Sequence, residues 1–331
     1  MKLRAGVIGV GAMGRHHARN YANIDGVELV GIADANEGTA QKMAQQFGGT
    51  AYTDHEAMLA EAKPDLVTIA VPTVHHLAVA QRAIEQGIHV LLEKPIAFSV
   101  AEGQQIIDLA AKADVRLMVG HIERFNPAIT ALKERLADGE LGRVFQIDAR
   151  RQGPFPARIQ DVGVVIDLAV HDLDVIRYVT GVEITRVFAE TERQIHSSHE
   201  DLLTGLVRLA DGTVGTLMVN WLTPTKIRQL DVIGEKGMFR VDYLTQDLYF
   251  FENGAAPAGD WPFRDLRGVS EGRMIRFVVP KMEPLRAEIE SFLAAVRGEA
   301  PVPVSGEDGL RALHLAQSVV ASGLENRPVA V

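Results

Sequence analysis

The element that most constrains this chain is Gly9-Val10-Gly11-Ala12-Met13-Gly14, a Gly-x-Gly-x-x-Gly turn directly after the apolar run Arg4–Val10 and at the start of a helix-forming stretch. Each glycine has its own task. The first permits a tight turn, the second lets the backbone approach a pyrophosphate, and the third lets helix and strand pack closely. The helix N-terminus adds amides and the positive end of its dipole. A glycine turn also occurs without a ligand, so context decides. A second strand, Val27–Ala33, ends at Asp34, 20 residues beyond Gly14, where a carboxylate would accept hydrogen bonds from an adenosine ribose. Ala35 and Asn36 follow, with no adjacent cation for a 2′-phosphate, which favours NAD over NADP.

The same alternation continues through the first 120 residues. Asp65–Val71, His89–Leu92 and Arg116–Val119 read as strands, with a weaker one near Thr50–Tyr52. Thr53-x-x-Glu56 and Ser99-x-x-Glu102 fit helix capping boxes. Strands and helices in turn predict a parallel sheet covered on both faces and joined by right-handed crossovers. Beyond residue 121 the pattern changes. A helix is expected over Phe125–Leu136, then strands over Arg143–Arg151, Ile184–Arg193, Leu202–Leu209, Thr213–Trp221, Ile227–Ile233, Met238–Tyr243 and Leu248–Phe251. Turns such as Asp211-Gly212 and Glu235-Lys236-Gly237 join them as antiparallel hairpins. One helix, about Val164–Val179, interrupts the strands, and two more, Pro284–Arg297 and Gly306–Gly323, come last. Asn253–Gly272, rich in Gly, Pro and Ala, reads as a loop.

A length of 331 residues suits two domains at roughly 150 residues each. The expected architecture is an α/β Rossmann doubly wound parallel sheet over residues 1–120. An α+β domain with a large, mostly antiparallel open-faced sheet follows over residues 121–331.

Composition narrows the chemistry. There is no cysteine, which excludes a disulfide framework, a Cys-based zinc or iron–sulfur site and a thiol nucleophile. Lys and Arg number 34 against 43 Asp and Glu, a formal charge of −9. Without a long basic run, that balance argues against nucleic acid or a membrane surface as a partner. A phosphate-bearing ligand must be held by backbone amides and a few placed cations. No apolar run approaches about 18 residues, and glycines interrupt the apolar stretch after Met1-Lys2-Leu3-Arg4, so a cytoplasmic protein is expected.

Two further clusters can carry chemistry. Glu93-Lys94-Pro95 follows the strand His89–Leu92, at the carboxyl end where such sheets bind ligands. Its proline pushes Lys94 toward an extended conformation. A strand-end salt bridge is the plainer use of such a lysine. In the apolar helix Val164–Val179, Asp167, His171, Asp174 and Tyr178 fall at i, i+4, i+7 and i+11, a single stripe. A carboxylate one turn from an imidazole can orient it as a general base. The alternative is a solvent-facing stripe. No metal is expected, because two carboxylates and one histidine lack a clear fourth ligand.

Gly-x-Gly-x-x-Gly, Glu93-Lys94-Pro95 and the later Asp167-x-x-x-His171 resemble, in order and spacing, the Gfo/Idh/MocA oxidoreductases. Val71-Pro72-Thr73 with His76 resembles that family's cofactor loop. The resemblance implies catalytic roles for Lys94 and His171, supported by Asp167, and a second domain that often mediates oligomerisation. It implies cofactor contacts from Gly9, Gly11, Ala12, Met13, Gly14, Asp34, Val71, Pro72, Thr73, His76, Glu93, Lys94 and Arg124. The segments 120–127, 151–158 and 220–226 resemble a branch that oxidises the C3 hydroxyl of UDP-N-acetylglucosamine with NAD. Substrate contacts would then include Lys94, Asp167 and His171. Arg151, Arg158, Lys226 and Arg228 would serve as cations for a diphosphate, or as ordinary ion-pair partners. The implied reaction is oxidation of a secondary sugar hydroxyl by hydride transfer to NAD. The expected partners are a small sugar or nucleotide sugar and further copies of the chain in a dimer or tetramer. An inositol or simple-sugar dehydrogenase, an NAD-dependent glycosidase and a cofactor-dependent sensor are the alternatives. Whether Lys94 or His171 is the formal base stays open at this level.

Overall fold

A computed structural model describes residues 2–156, 162–254 and 270–331. Arg158, one of the expected substrate cations, lies outside the described residues. The chain divides into two compact units, Met1–Phe125 with Glu283–His314, and Asn126–Met282 with Leu315–Val331.

The first unit alternates as its sequence predicts: β1 (Leu3–Ile8), α1 (Gly14–Ala22), β2 (Val27–Ala33), α2 (Glu37–Phe47), β3 (Thr50–Tyr52), α3 (His55–Ala62), β4 (Leu66–Ile69), α4 (His76–Glu85), β5 (His89–Glu93), α5 (Val100–Ala113) and β6 (Leu117–Gly120). A short 3₁₀ turn, Thr73–His75, leads into α4, and another covers Ile122–Phe125. The six strands pair in parallel in the order β3-β2-β1-β4-β5-β6. Central strands are apolar on both sides because both faces are covered: Leu66, Val67, Ile69, Val90, Leu91 and Leu92 have no exposed surface. The order reverses between β1 and β4, so the loops after those two strands flank a topological switch point.

Helix starts follow local chemistry. The Ser99/Glu102 capping box forms, with Ser99 Oγ accepting from Glu102 N and Glu102 Oε2 from Ser99 N. The box expected at Thr53 does not form. Asp54 is the N-cap of α3 instead and accepts from Glu56 N at 3.1 Å, since an Asx carboxylate is a strong N-cap group.

The second unit holds α6 (Pro127–Ala137), β7 (Val144–Pro154), α7 (Val170–Thr180), β8 (Ile184–Glu192), β9 (Leu202–Leu209), β10 (Val214–Asn220), β11 (Leu222–Gly234), β12 (Gly237–Asp242), β13 (Asp247–Gly254) and β14 (Ser270–Arg276). The expected single α-helix over 164–179 opens with a π turn, Val165–Ala169, in which Val170 N reaches back to Val165 O. β14 is a strand that the sequence left in and after a loop. Among the described residues it pairs on one side only, with β13, and an edge strand lacks a continuous apolar run. The last elements are α8 (Pro284–Val296), α9 (Gly306–Glu325) and β15 (Val329–Ala330).

The nine strands run β14-β13-β12-β11-β7-β10-β9-β8-β15, antiparallel except for the parallel pair β7–β10. Along β9, Leu203, Gly205, Val207 and Leu209 are buried while Thr204, Leu206 and Arg208 are exposed, the period-2 signature of a sheet covered on one face. α8 belongs to the first unit, although the sequence placed it beyond a single cut at residue 121. Leu285, Ile289, Phe292 and Leu293 are buried, and the helix packs against α1 and the 3₁₀ turn Ile122–Phe125. Periodicity marks such a face as apolar but not which layer covers it. No helix among the described residues is long and apolar enough to cross a membrane.

Candidate active site

At the switch point of the first unit the glycine turn adopts the strand–turn–helix geometry that its spacing predicts. Gly9 has φ +82°, a conformation that disfavours a side chain. A Cβ on Gly14 would run into the carbonyl oxygen of Gly9. A Cβ on Gly11 would meet nothing within 4 Å, so the middle of the turn faces open space. Ala12 and Met13 are exposed beside it. Asp34 sits against the same turn: Oδ2 accepts from Val10 N and Oδ1 from Asn36 N, both at 2.9 Å. Each oxygen keeps a lone pair for further donors. An open glycine cradle, a helix N-terminus and an anchored acceptor fit the pyrophosphate and ribose of a dinucleotide.

Val71, Pro72 and Thr73 follow β4 and flank the same switch point. His76 is only 1% exposed and spans two loops, with Nδ1 2.9 Å from Pro95 O and Nε2 3.0 Å from Val71 O. Burial pushes its pKa down against those carbonyls, which pull it up. His76 thus braces the loops rather than offering a surface. Lys94 follows β5 directly, half-buried, and its peptide bond to Pro95 is cis. Glu93, before it, is buried with Oε1 2.8 Å from His17 Nε2. Burial works against the ionised form of Glu93, but the His17 hydrogen bond and the charges of His17, Lys94 and His76 outweigh it and hold the carboxyl below its ordinary range. Arg124 is 7% exposed and forms a two-pronged pair with Asp308, at 3.2 and 3.1 Å.

In the second unit Asp167 lies within the π turn, its N donating to Gly163 O, and His171 in the first turn of α7. Both are half-buried. The rest of the expected stripe has other surroundings: Asp174 is 1% exposed, and the Lys133 ammonium lies 3.7 Å from the centre of the Tyr178 ring. Glu200 fastens the start of the π turn. Its carbonyl accepts from Val164 N and its Oε1 from Val165 N, while its carboxylate covers Gly163, where a Cβ would collide with it.

The expected cations separate by burial. Arg151 is 3% exposed, with Nε 3.0 and 2.9 Å from the two oxygens of Asp172, so the structure gives it an ion-pair role. Arg228 stands opposite it in the β7–β11 register and donates to the carbonyls of Gln152 and Ile227. Lys226 is exposed, and it and Arg228 border Gly153. Sequence reasoning missed His17 and Asp172. His17 had one available signal, a position one helical turn beyond Gly14; Asp172, inside an apolar helix, had its charge alone. Among the described residues no group of three or more His, Asp or Glu side chains could hold a metal ion.

Comparison with known proteins fits this geometry. Residues 3–121 match the Gfo/Idh/MocA oxidoreductase family, NAD-binding Rossmann fold, and residues 129–240 match the Gfo/Idh/MocA C-terminal domain. The UDP-N-acetylglucosamine 3-dehydrogenase of Acidithiobacillus ferrooxidans is 33% identical over 317 residues, covering 96% of each chain. A solved structure of that protein, GnnA, superposes with a TM-score of 0.85 at 33% identity, covering 97% of each chain. The myo-inositol 2-dehydrogenase of Thermotoga maritima is 28% identical, covering 99% of this chain and 98% of its own.

Proposed function

Since this chain belongs to the Gfo/Idh/MocA oxidoreductases and is an NAD-dependent dehydrogenase of CH–OH groups, we propose that it oxidises a secondary hydroxyl of a nucleotide sugar, the C3 hydroxyl of UDP-N-acetylglucosamine. The observation that carries the substrate is full-length similarity to the Acidithiobacillus ferrooxidans enzyme of that name. Lys226 and Arg228 beside Gly153 support it, because an acidic protein needs local cations for a diphosphate.

NAD, when bound, supplies the acceptor for the hydride leaving the substrate carbon. Gly9, Gly11, Ala12, Met13 and Gly14 would hold its pyrophosphate on backbone amides and the α1 dipole, and Asp34 would accept from its ribose. Val71, Pro72 and Thr73 line the same switch point, with His76 bracing them against Pro95. His171, oriented by Asp167, takes the hydroxyl proton. Lys94 donates a hydrogen bond to the reacting oxygen and stabilises the negative charge that develops there. The substrate thereby loses one proton and one hydride and becomes a ketone. Arg151 and Arg124 act one step removed, holding α7 to the sheet and Asp308 to the first unit.

A homo-oligomer is part of the same proposal. Leu206 and Met218 are 49% and 43% exposed on neighbouring strands of the nine-stranded sheet, and covering exposed apolar side chains of this kind suits a second copy. A second substrate reading, an inositol, is favoured by the similarity to the Thermotoga maritima enzyme. Thermal-shift measurements with NAD, NADP, UDP-N-acetylglucosamine and myo-inositol, followed by NADH absorbance with each stabilising sugar, separate these. NADH formed from UDP-N-acetylglucosamine and not from myo-inositol is expected; the reverse replaces the substrate.

A further inference from the structure

Lys94 stands between two buried histidines that hold the chain on either side of it. Before it comes Glu93, whose Oε1 lies 2.8 Å from His17 Nε2. After it comes Pro95, whose carbonyl oxygen lies 2.9 Å from His76 Nδ1. His17 has no exposed surface, and His76 only 1%. Each histidine is rooted beside the switch point. His17 is on α1, one helical turn beyond Gly14. His76 opens α4, and its Nε2 lies 3.0 Å from Val71 O in the loop after β4.

The donors and acceptors fix where the ring protons sit. The ionised Glu93 carboxylate only accepts, so His17 Nε2 carries a hydrogen and donates it. Nδ1 then accepts from the Thr68 hydroxyl of β4, 3.4 Å away, and that hydroxyl accepts from Tyr21 Oη at 2.9 Å. Thr68 and Tyr21 have no exposed surface either, so the ring is held at both edges. His76 faces two carbonyl oxygens, which also only accept, so a ring with one proton serves one of them at a time. The Pro95 contact is buried and the Val71 contact only partly, so solvent can serve Val71 O. A buried carbonyl left unpaired costs more, which puts the hydrogen on Nδ1.

We propose that His17 and His76 are positioning residues for Lys94: their hydrogen bonds to Glu93 and to the Pro95 carbonyl fix the Glu93-Lys94-Pro95 turn from both ends and set Lys94 against the two segments that flank the dinucleotide site. His17 acts through the Glu93 side chain and His76 through the Pro95 carbonyl. The positioning role rests on the proposed catalytic use of Lys94; the two hydrogen bonds do not. A turn free at either end would let the ammonium drift from the reacting oxygen, and a misplacement of about 1 Å can cost on the order of 10²-fold in rate.

Side-chain amides separate these hydrogen bonds from packing, since asparagine places its amide near the Nδ1 position and glutamine near Nε2. His17→Asn loses the donor to Glu93 and His17→Gln keeps it; His76→Gln loses the donor to Pro95 and His76→Asn keeps it. His17→Asn and His76→Gln should each lower kcat roughly ten- to a hundredfold, with KM for NAD and for the sugar within about threefold. His17→Gln and His76→Asn should recover most of that loss. On a Lys94→Ala background, His17→Asn should lower the residual turnover by less than about twofold, because a link that acts through Lys94 has nothing left to place. In a neutron structure of the wild-type protein, deuterium should stand on His17 Nε2 and on His76 Nδ1. A bare nitrogen at either position overturns that link even if no variant folds. The same kcat in all four histidine variants overturns the positioning role, and so does a loss in His17→Asn that persists undiminished without Lys94. Full turnover in Lys94→Ala overturns the catalytic reading and the positioning role with it, while the neutron map still reports the two hydrogen bonds.

Discussion

Arg151 on β7 and Asp172 on α7 form an ion pair closed to water, with the arginine 3% exposed and the aspartate not at all. The guanidinium carbon also lies 5.0 Å from the centre of the Tyr243 ring. Asp172 adjoins His171 in sequence, so the pair pins the first turn of α7 to the sheet. Removing one residue takes this ion pair away from the other, which stays buried. Asp172→Ala should cost about 3–5 kcal/mol, and Arg151→Met with Asp172→Leu should recover most of that. Urea denaturation checks this; Asp172→Ala as stable as the wild type would refute it.

Two glycines of one turn should behave oppositely. Gly14→Ala drives a Cβ into Gly9 O and should destabilise the protein by about 1–3 kcal/mol or more. Gly11→Ala has room and should melt with the wild type in the absence of cofactor. Its methyl group would occupy the cradle, raising the NAD dissociation constant roughly tenfold or more, about 1.4 kcal/mol. Melting curves and NAD titration calorimetry separate the two effects.

Asp201 gives a pH signature. Its carboxylate accepts backbone hydrogen bonds from Gln194, Ile195 and His196. Burial opposes the charge, but those donors outweigh it and hold the pKa below the ordinary carboxylate value. The folded form therefore binds the proton more weakly than the unfolded form. The stability so gained is present above the unfolded pKa of about 3.9 and is lost as pH falls through the folded one. Asp201→Ala should cost about 1–3 kcal/mol at neutral pH. The gap to the wild type, measured by urea melts across pH, should close toward acid; a constant gap would count against this role.

For the chemistry, Lys94→Ala and His171→Ala should each lower kcat on the order of 10²–10⁴-fold. If both act in one transition state, as proposed, the double variant should lose much less than the product of the two. Steady-state kinetics with NAD and the sugar decide it.

The nucleotide half was legible because its determinants are local. The three glycines, the spacing to Asp34 and the unbroken apolar strands lie within one βαβ repeat, where chain connectivity leaves little choice of partner. The antiparallel half was legible as alternation and turns. The edge strand β14 was missed, and α7 was read without its π turn, since an inserted backbone residue leaves no mark in the apolar pattern.

By itself the sequence determined the fold class, the NAD-binding turn, and Lys94, Asp167 and His171 as candidates, all through residue type and short spacing. Tertiary structure alone decided that Arg151 belongs to Asp172, that His17 meets Glu93 across 76 residues, and that α8 joins the first unit. The physical reason is that burial, pairing and the protonation that follows from them depend on which distant segments pack together. Glu93 and Glu288 are the same amino acid, and only their surroundings hold one carboxyl below its ordinary range and push the other above it.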